Sequence, residues 1–501
     1  MATLLAPYNT AMQLGTGFNS FTQQVCIDAA VTSSKDINSA MAPAEQDRNK
    51  PIAQEVVYKT SIVDKVTDVT NEMNVNAAFS IKYDAFDAKG KVGFLNTSKV
   101  KEADVTFLIS VKVVNQVIYD HSLIHFQPVE GVDAKNFTEI YGDSFVSGYQ
   151  EGGTFTAVIS VKAKNESKSR DIKTEATIKF TKNREPPKTE GAEESNHLKL
   201  DLDFSKEDMS FLNENETTIS VSYTGGGQGL KDDKEDWTYE TMRSAALRFP
   251  SLVAKTPMRT HAILTKYTAL RSYHTHFGGL KMPAFEMAGV YSTLLQEAYL
   301  DYKTVAKNLQ VLAYDVSAGQ TRLIAASEAR TKLEQASKPA APAGGDGVKT
   351  PSDSGESTTS LDAAGAAPET PLPAKPNTPR NNDDSSDNNT KKQQQLEERP
   401  YAWKPIQLAE DFAPTLQGIE EARSMVRTML IRIVQEINIL TKFPEAAIDE
   451  ERVQPHMSPF LFKEFLPVGE PIKKEAQDEI DMGPMERQLA QMKASGGRQG
   501  F

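Results

Sequence analysis

Hydrophobic and polar residues alternate along several stretches of the first 227 residues. A period of two is typical of antiparallel strands that bury one face and expose the other. The alternating stretches are 105–113, 155–161, 172–180, 198–204 and 217–223. This pattern predicts an antiparallel sheet in the first half of the chain.

From Trp237 onward, the apolar residues take the spacing of helices. The run 284–336 contains no proline and one notable breaker, Gly319, which predicts a long helix or a helical hairpin. A second amphipathic run covers 406–440, where Pro414 should kink the helix or mark its start. We expect the two helical regions to pack against each other.

The stretch between these helical regions has a low-complexity composition. Residues 338–398 contain no aromatic residue and four large aliphatic residues. Such a segment buries too little apolar surface to offset its ordering entropy, which predicts a disordered linker. The second half of the chain is thus divided into a helical region (281–336), a disordered linker (337–399), a second helical region (400–465) and a mobile tail (466–501).

Charge and composition narrow the classes of function. The chain has 501 residues, of which 39% are hydrophobic, and a net charge of -12 with a pI near 5.3. This acidic balance argues against nucleic acid as a partner and against simple capture by anionic lipid. Cys26 is the only cysteine, so an intrachain disulfide framework is excluded.

The N-terminus lacks the features of a secretion signal, because Lys35 is the first basic residue and Pro7 breaks the apolar run. No window approaches ~18 consecutive apolar residues, so we expect no constitutive transmembrane helix. We therefore expect a soluble protein, cytoplasmic or released by a non-classical route. Such a protein would meet a bilayer only after a conformational change.

Motifs that carry catalysis are absent from the sequence: it has no GxSxG, P-loop, CxxC or HExxH. The string GGGQG at 225–229 lacks the Lys-Ser/Thr of a phosphate loop and predicts a loop at a sheet edge. His274 and His276 could share one face of an extended segment, and His121 and His125 have i, i+4 spacing, but neither pair has a nearby thiolate. We expect no enzyme, no metal and no cofactor.

The segment YGDSFVSGYQEGG at 141–153 resembles the signature of the membrane attack complex/perforin (MACPF) superfamily. That signature is an aromatic-Gly pair, two small or polar residues, an aromatic residue, and Gly-Gly after six more residues. Tyr141, Gly142, Phe145, Gly152 and Gly153 match it in type and spacing. The similarity is closest to stonefish-toxin-like and fungal members.

The residues between the signature positions depart from the family pattern, since Asp143 and Ser144 replace its usual Thr-His. Two further segments, 14–29 and 74–113, are similar to the opening and to the first membrane-hairpin region of the same group. The resemblance covers about 14–269. It implies an α+β fold for residues 1–280: a bent, twisted antiparallel sheet with flanking helical clusters, followed here by a C-terminal helical bundle that the linker interrupts.

In this family the helical clusters refold into amphipathic hairpins that close a β-barrel through a bilayer, so the resemblance implies two candidate membrane hairpins. The first can be read as helix or as strand, because its apolar residues fit both periods. Its candidate residues are Val75, Ala77, Phe79, Ile81, Tyr83, Ala85, Val92 and Phe94. Those of the second, which has a long charged turn, are Ile172, Ala176, Ile178, Phe180, Leu198, Leu200 and Leu202.

The Gly152–Gly153 pair predicts a bend in the sheet, because glycine tolerates close backbone approach and positive φ. The resemblance implies a pore-forming protein that self-assembles and becomes membrane-associated after oligomerisation. Its partners would be copies of itself, a lipid membrane and an accessory membrane-binding protein, without nucleic acid. The alternative is a non-lytic structural or interaction protein that assembles without perforating a membrane.

Overall fold

The computed structural model describes residues 4–33, 53–163, 215–337 and 401–472, with gaps at 88, 134–135, 228, 232–235, 281, 407 and 409. The second candidate hairpin, nearly all of the predicted linker and the chain after residue 472 lie outside these residues.

Strands and helices of the described chain are numbered separately in sequence order. The strands are β1 Leu4–Pro7, β2 Gly17–Asn19, β3 Gln24–Val25, β4 Val31–Ser33, β5 Glu55–Val63, β6 Val105–Tyr119, β7 Leu123–Phe126, β8 Ser144–Lys162, β9 Glu216–Thr224, β10 Met258–Lys266, β11 Thr321–Ile324 and β12 Val468–Pro471. The helices are α1 Val66–Glu72, α2 Ala77–Lys82, α3 Thr97–Glu102, α4 Phe137–Tyr141, α5 Tyr239–Lys255, α6 Arg271–Phe277, α7 Glu286–Ser317, α8 Ala326–Ser337, α9 Leu416–Lys442 and α10 Pro459–Lys463.

The main sheet is antiparallel, as the alternating pattern predicts, and its long strands lie in the order β5-β6-β8-β9. Strand β8 is the central strand of the sheet and pairs with other strands on both sides. Along one side it pairs with β6; along the other it pairs with β10 up to Gly152 and with β9 from Thr154 onward. Three chain segments join these four strands, and two of them, one between β5 and β6 and one between β8 and β9, leave the sheet at the same end.

The two faces of the sheet are covered by different helices. On one face α5 packs through Phe249 and Val253 against the inward residues of β6 and β8, such as Phe107 and Phe155. On the other face α1 and α3 pack against Leu108 and Val158. Both faces of β6 and β8 are buried over much of their length, but only the face under α5 is apolar throughout; the other carries Thr106, Ser110, Thr156 and Ser160 beside Leu108 and Val158.

The two helical regions pack against each other, as expected, through α7 and α9. Pro414 marks the start of α9 rather than a kink, because Thr415 caps the helix: its hydroxyl accepts a hydrogen bond from Gly418 N at 3.1 Å. One boundary needs correction. The tail predicted as mobile from residue 466 begins with an ordered strand, since β12 pairs with β11 and Arg322 contacts Glu470 at 2.8 Å.

Candidate functional site

The aromatic residues of the signature segment (Tyr141–Gly153) lie in the core. Tyr141 and Phe145 are buried in a cluster of rings at the start of β8. The Tyr141 hydroxyl donates to Gln127 O at 2.8 Å and accepts from Val129 N at 2.7 Å. The Tyr267 hydroxyl donates to Tyr141 O at 2.9 Å. The signature aromatics thus fix the loop before β8 and the end of β10 around one point.

Gly142 and Asp143 hold the N-terminal strand β2. Gly142 has φ +76°, and a Cβ there would lie 2.1 Å from Phe18 O, which no L-residue accommodates. Asp143 is buried, and its two carboxylate oxygens accept hydrogen bonds from Ser20 N at 2.7 Å and Ser20 Oγ at 2.6 Å. Burial raises the pKa of Asp143, although both Ser20 bonds oppose that shift. Sequence reasoning missed this role; its one signal was the departure from the family's Thr-His.

Gly152 and Gly153 lie where β8 changes partner from β10 to β9. A Cβ on Gly152 would lie 1.9 Å from Val113 O on the neighbouring strand. A Cβ on Gly153 would lie 2.5 Å from Val253 Cγ2 on α5. The pair therefore permits close approach of β6 on one side and of α5 above; whether the sheet opens there stays a prediction.

Hydrogen bonds hold the C-terminal end of α5 next to the glycine pair. A bulge in β6 at Asn115 sits opposite the glycine pair, and Asn115 Nδ2 donates to Val253 O at 3.2 Å. Gln54 Nε2 donates to Asn115 Oδ1 at 2.7 Å and to Pro250 O at 3.2 Å. The glycine-rich string follows the edge strand β9 as a loop, and Gly226 N donates to Thr256 O at 3.0 Å.

The first hairpin segment (residues 64–104, between β5 and β6) holds the three short helices α1, α2 and α3 joined by turns, so only part of it follows the helical one of the two periods in its sequence. Most candidate residues are buried, some against α7 and others in a small cluster of their own around Val92, whereas Tyr83 remains 42% exposed. The buried ones are Val75, Ala77, Ile81, Ala85 and Val92, and the half-buried ones are Phe79 and Phe94. Insertion by this segment is not tested by the structure and stays a prediction.

Helix α7 covers the first hairpin segment. Ile81 shares a buried cluster with Leu295 and Ala298 of α7. Ion pairs line the same contact, each partly exposed and therefore individually weak. They join Lys65 to Glu297 at 2.8 Å, Lys101 to Asp301 at 2.7 Å and Lys303 to Asp84 at 2.7 Å.

The candidate residues of the second hairpin, Ile172, Ala176, Ile178, Phe180, Leu198, Leu200 and Leu202, lie outside the described residues. His274 and His276 lie on helix α6 rather than on an extended segment, and His274 Nε2 is 3.0 Å from Thr268 O. Within the described ranges, no cluster of three or more His, Cys, Asp or Glu side chains is placed to hold a metal ion. Among the helices that the structure describes, none is long and apolar enough to span a bilayer.

The strand order, the signature at the start of β8 and the helical segment between β5 and β6 are the arrangement that the sequence resemblance implied. The described chain therefore has a MACPF-like α+β fold.

Eighteen solved chains match this structure. Stonustoxin shares 8% identity over 62% of this chain and 38% of its own, with a TM-score of 0.29. GNIP1Aa from Chromobacterium piscinae shares 12% over 52% of each chain, with a TM-score of 0.25. Pneumolysin shares 9% over 42% of this chain and 39% of its own, with a TM-score of 0.21.

The matched region thus spans from 38% to 52% of the length of these proteins. No family model and no curated protein matches the sequence.

Proposed function

We propose that this chain is a pore-forming protein. Copies assemble edge to edge, and two segments of each copy extend into amphipathic β-hairpins that insert into a target membrane. The segments are those that interrupt the main sheet: the first hairpin segment (64–104) and a second hairpin segment (163–215). The observation that supports this proposal is the strand register at the points where these segments leave the sheet.

Strands β5 and β6 keep one register along their whole length and end with Val63 opposite Thr106. Continued into the first hairpin segment, this ladder would place Val75 opposite Phe94. In this ladder, odd-numbered residues of the first arm lie opposite even-numbered residues of the second. The apolar residues are odd-numbered in the first arm and even-numbered in the second, so all of them share one face, the face that bears Val63. They are Val75, Ala77, Phe79, Ile81 and Tyr83 in one arm and Phe86, Val92 and Phe94 in the other.

Strands β8 and β9 likewise keep one register and end with Lys162 opposite Glu216. Continued, this ladder would place Ile178 opposite Leu200. The apolar residues again share one face, and it is the face that bears Val158, which packs in the same cluster as Val63. They are Ile172, Ala176, Ile178 and Phe180 in one arm and Leu198, Leu200, Leu202 and Phe204 in the other.

The β6–β8 register relates the two hairpins in height. Near the hairpins this pairing joins Val105 to Val161. Continued, it would place Phe94 opposite Ile172 and Phe86 opposite Phe180. The apolar rows of all four arms, 75–83, 86–94, 172–180 and 198–204, therefore coincide as one apolar belt. Independent strands have no need to agree in both face and height; a shared bilayer requires both.

The apolar belt has the dimensions of a membrane. Three arms contribute nine residues each and the arm 198–204 contributes seven, close to the ~9–11 that a tilted β-strand needs to cross the hydrocarbon core. The opposite face is polar and would line the lumen. Its charged residues include Lys82, Asp84, Lys173, Glu175, Lys179, Asp201 and Asp203. The charged turn 181–197 lies beyond the belt, so it would cross the bilayer once and remain in water afterwards.

The exposure of Tyr83 in the helical state is consistent with a second, extended conformation of this segment. Tyr83 fits the strand row of the apolar belt, but in the helical state it is 42% exposed. A side chain chosen only for the helical packing would not need to be a large aromatic residue at this position. Self-assembly would use the sheet edges: among the described strands, β5 pairs with β6 alone and β9 with β8 alone.

Dye release from vesicles, with particles imaged on the same vesicles, tests the proposal. We expect leakage together with ring-shaped assemblies from the full chain, with and without anionic lipid in the vesicles. Trimming within 338–398 should not abolish either. Rings or filaments without leakage would instead support the non-lytic alternative.

A further inference from the structure

The first hairpin segment has one corner that must straighten before it can extend. Helix α1 ends at Glu72 and α2 begins at Ala77, and Asn74 between them has φ +55°. Asn74 must leave this left-handed conformation for an extended one if residues 64–84 are to become a strand. What holds Asn74 and Asn76 therefore holds the segment closed.

The buried turn between β2 and β3 forms hydrogen bonds to one side of this corner. Asn76 is the N-cap residue of α2, yet its side chain does not cap the helix. Instead, Asn76 Nδ2 donates to Ser20 O at 2.7 Å and to Phe21 O at 3.3 Å. Gln23 Nε2 donates to Asn74 O at 2.7 Å, and Asn76 N donates to Gln23 Oε1 at 3.2 Å.

The same turn is anchored on two other elements. Asp143 of the signature segment accepts both hydrogen bonds from Ser20 described above. Phe21 stacks on Phe285, the residue before α7, with ring centroids 5.0 Å apart and planes 7° from parallel. The corner is thus tied through one turn to the signature and to the helix that covers the segment.

His261 of β10 grips the other side of the corner. Its Nε2 lies 3.1 Å from Asn74 Nδ2, and because an amide nitrogen only donates, the ring nitrogen must accept. This contact requires the neutral ring with its proton on Nδ1, which lies 3.1 Å from Thr260 Oγ1. His261 is buried at 7% exposure.

Positive charges face this histidine from two directions. Lys112 of β6 and Lys91 of the first hairpin segment both disfavour a proton on it. Lys112 is itself paired with Glu72 of α1 at 3.0 Å, and Lys59 of β5 pairs with the same carboxylate at 2.6 Å. A proton on His261 would remove the acceptor for Asn74 and add charge to a buried, already cationic site.

We propose that these contacts form an acid-sensitive latch: the β2–β3 turn and neutral His261 hold the Asn74–Asn76 corner, and protonation of His261 releases it. This inference rests on the proposed function, because it names the control point of the first hairpin. Acidification would then be the trigger that frees residues 64–104 from the sheet and from α7.

The direction of the pH effect follows from the pKa of His261. Burial has the largest effect on this pKa, and together with Lys112 and Lys91 it lowers the value from 6.5 to about 4. The open state, with an ordinary histidine, takes up its proton below pH 6.5, whereas the closed state does so only near pH 4. The closed state therefore loses stability as the pH falls between these values. At pH 5 the opening equilibrium rises by up to about 30-fold.

Asp143 acts in the opposite direction. Its raised pKa means that the closed state binds a proton more readily than an exposed carboxyl, so acid favours closure at this residue. Asp143→Asn keeps an acceptor for Ser20 N and removes this titration. Acid opening in this variant should equal or exceed that of the wild type.

Hydrogen exchange of the full chain in solution tests the latch without a membrane. Peptides that cover 66–82 and 91–102 are followed at pH 7 and pH 5, with labelling times scaled to the intrinsic rate at each pH. We expect these peptides to lose protection by up to about 30-fold at pH 5, while peptides of β6 and β8 keep theirs. Unchanged protection of 66–82 at pH 5 would overturn the proposal.

Two variants separate the latch from general acid destabilisation. His261→Gln keeps an acceptor that does not titrate, so the protection of 66–82 at pH 5 should equal or exceed its protection at pH 7. Asn74→Gly tolerates the positive φ but loses the contact, so exchange should already be fast at pH 7. A wild-type response in His261→Gln, or wild-type protection in Asn74→Gly at pH 7, would refute the latch.

The two proposals can fail separately. If exchange behaves as expected but vesicles do not leak at either pH, the latch stands and the pore-forming function falls. If vesicles leak equally at both pH values and equally with His261→Gln, the pore stands and the latch falls.

Discussion

Ile178→Lys is expected to abolish vesicle leakage, whereas Thr177→Lys, one residue away, should leave it largely intact. Extension of the β8–β9 register puts Ile178 on the lipid-facing row of the apolar belt and Thr177 on the lumen side. A lysine on the lipid face of a transmembrane β-strand costs about 2–4 kcal/mol near the midplane. This cost corresponds to a decrease of at least about 30-fold in the insertion equilibrium of each subunit. A lysine in a polar lumen carries no such cost.

The two variants control for each other, because they introduce the same side chain at adjacent positions. Thermal unfolding and binding to vesicles should be measured for both, so that a loss of leakage can be assigned to insertion. Equal leakage from the two variants would show that residues 172–180 do not cross the bilayer as a strand in this register. The first hairpin segment could then still insert alone.

Gly152→Ala is expected to destabilise the fold by about 3 kcal/mol or more. The new methyl group would lie 1.9 Å from Val113 O, and a backbone carbonyl in the middle of β6 cannot move without breaking the sheet ladder. Gly153→Ala should cost less, about 1–3 kcal/mol, because its nearest neighbour is the side-chain atom Val253 Cγ2 at 2.5 Å, whereas Phe249 Cζ and the backbone oxygen of Thr224 lie farther away, both at 2.9 Å. Chemical denaturation measures both.

Val253→Ala provides the matched test of this difference. It removes the closest neighbour of the Gly153 methyl group and should recover about 1 kcal/mol in the double variant. It should recover nothing when combined with Gly152→Ala, whose clash is with β6. Rescue of both glycine variants, or of neither, would contradict the contact geometry at the point where β8 changes partner.

The sequence predicts those elements whose pattern is local. Alternation in 105–113 and 155–161 is sufficient to predict β6 and β8, because each strand buries one full face under helices. Pro414 predicts the start of α9, because proline disfavours a helical conformation in the residue before it, and the helix begins just after it at Leu416 with Thr415 as its N-cap. Tyr141 and Phe145 carry the family resemblance because both are buried where several chain segments meet.

Other features depend on contacts between distant residues and leave no local pattern. The change of partner at Gly152 joins β8 to two strands that lie far along the chain. The latch joins Ser20 to Asn76, and Asn74 to His261, through polar atoms that any surface segment could carry. The state of residues 75–94 is ambiguous in sequence because both periods are present; α7 and α9 supply the apolar surface against which α2 packs.

The most direct test of the account is a scan with an environment-sensitive fluorophore on single cysteines, in a Cys26→Ala background, on vesicles. Residues 75–83, 86–94, 172–180 and 198–204 are labelled one at a time in the assembled state. Lipid-like emission is expected at odd numbers in the first range and at even numbers in the other three. A period near 3.6, or water-like emission throughout, would contradict the insertion of an apolar belt.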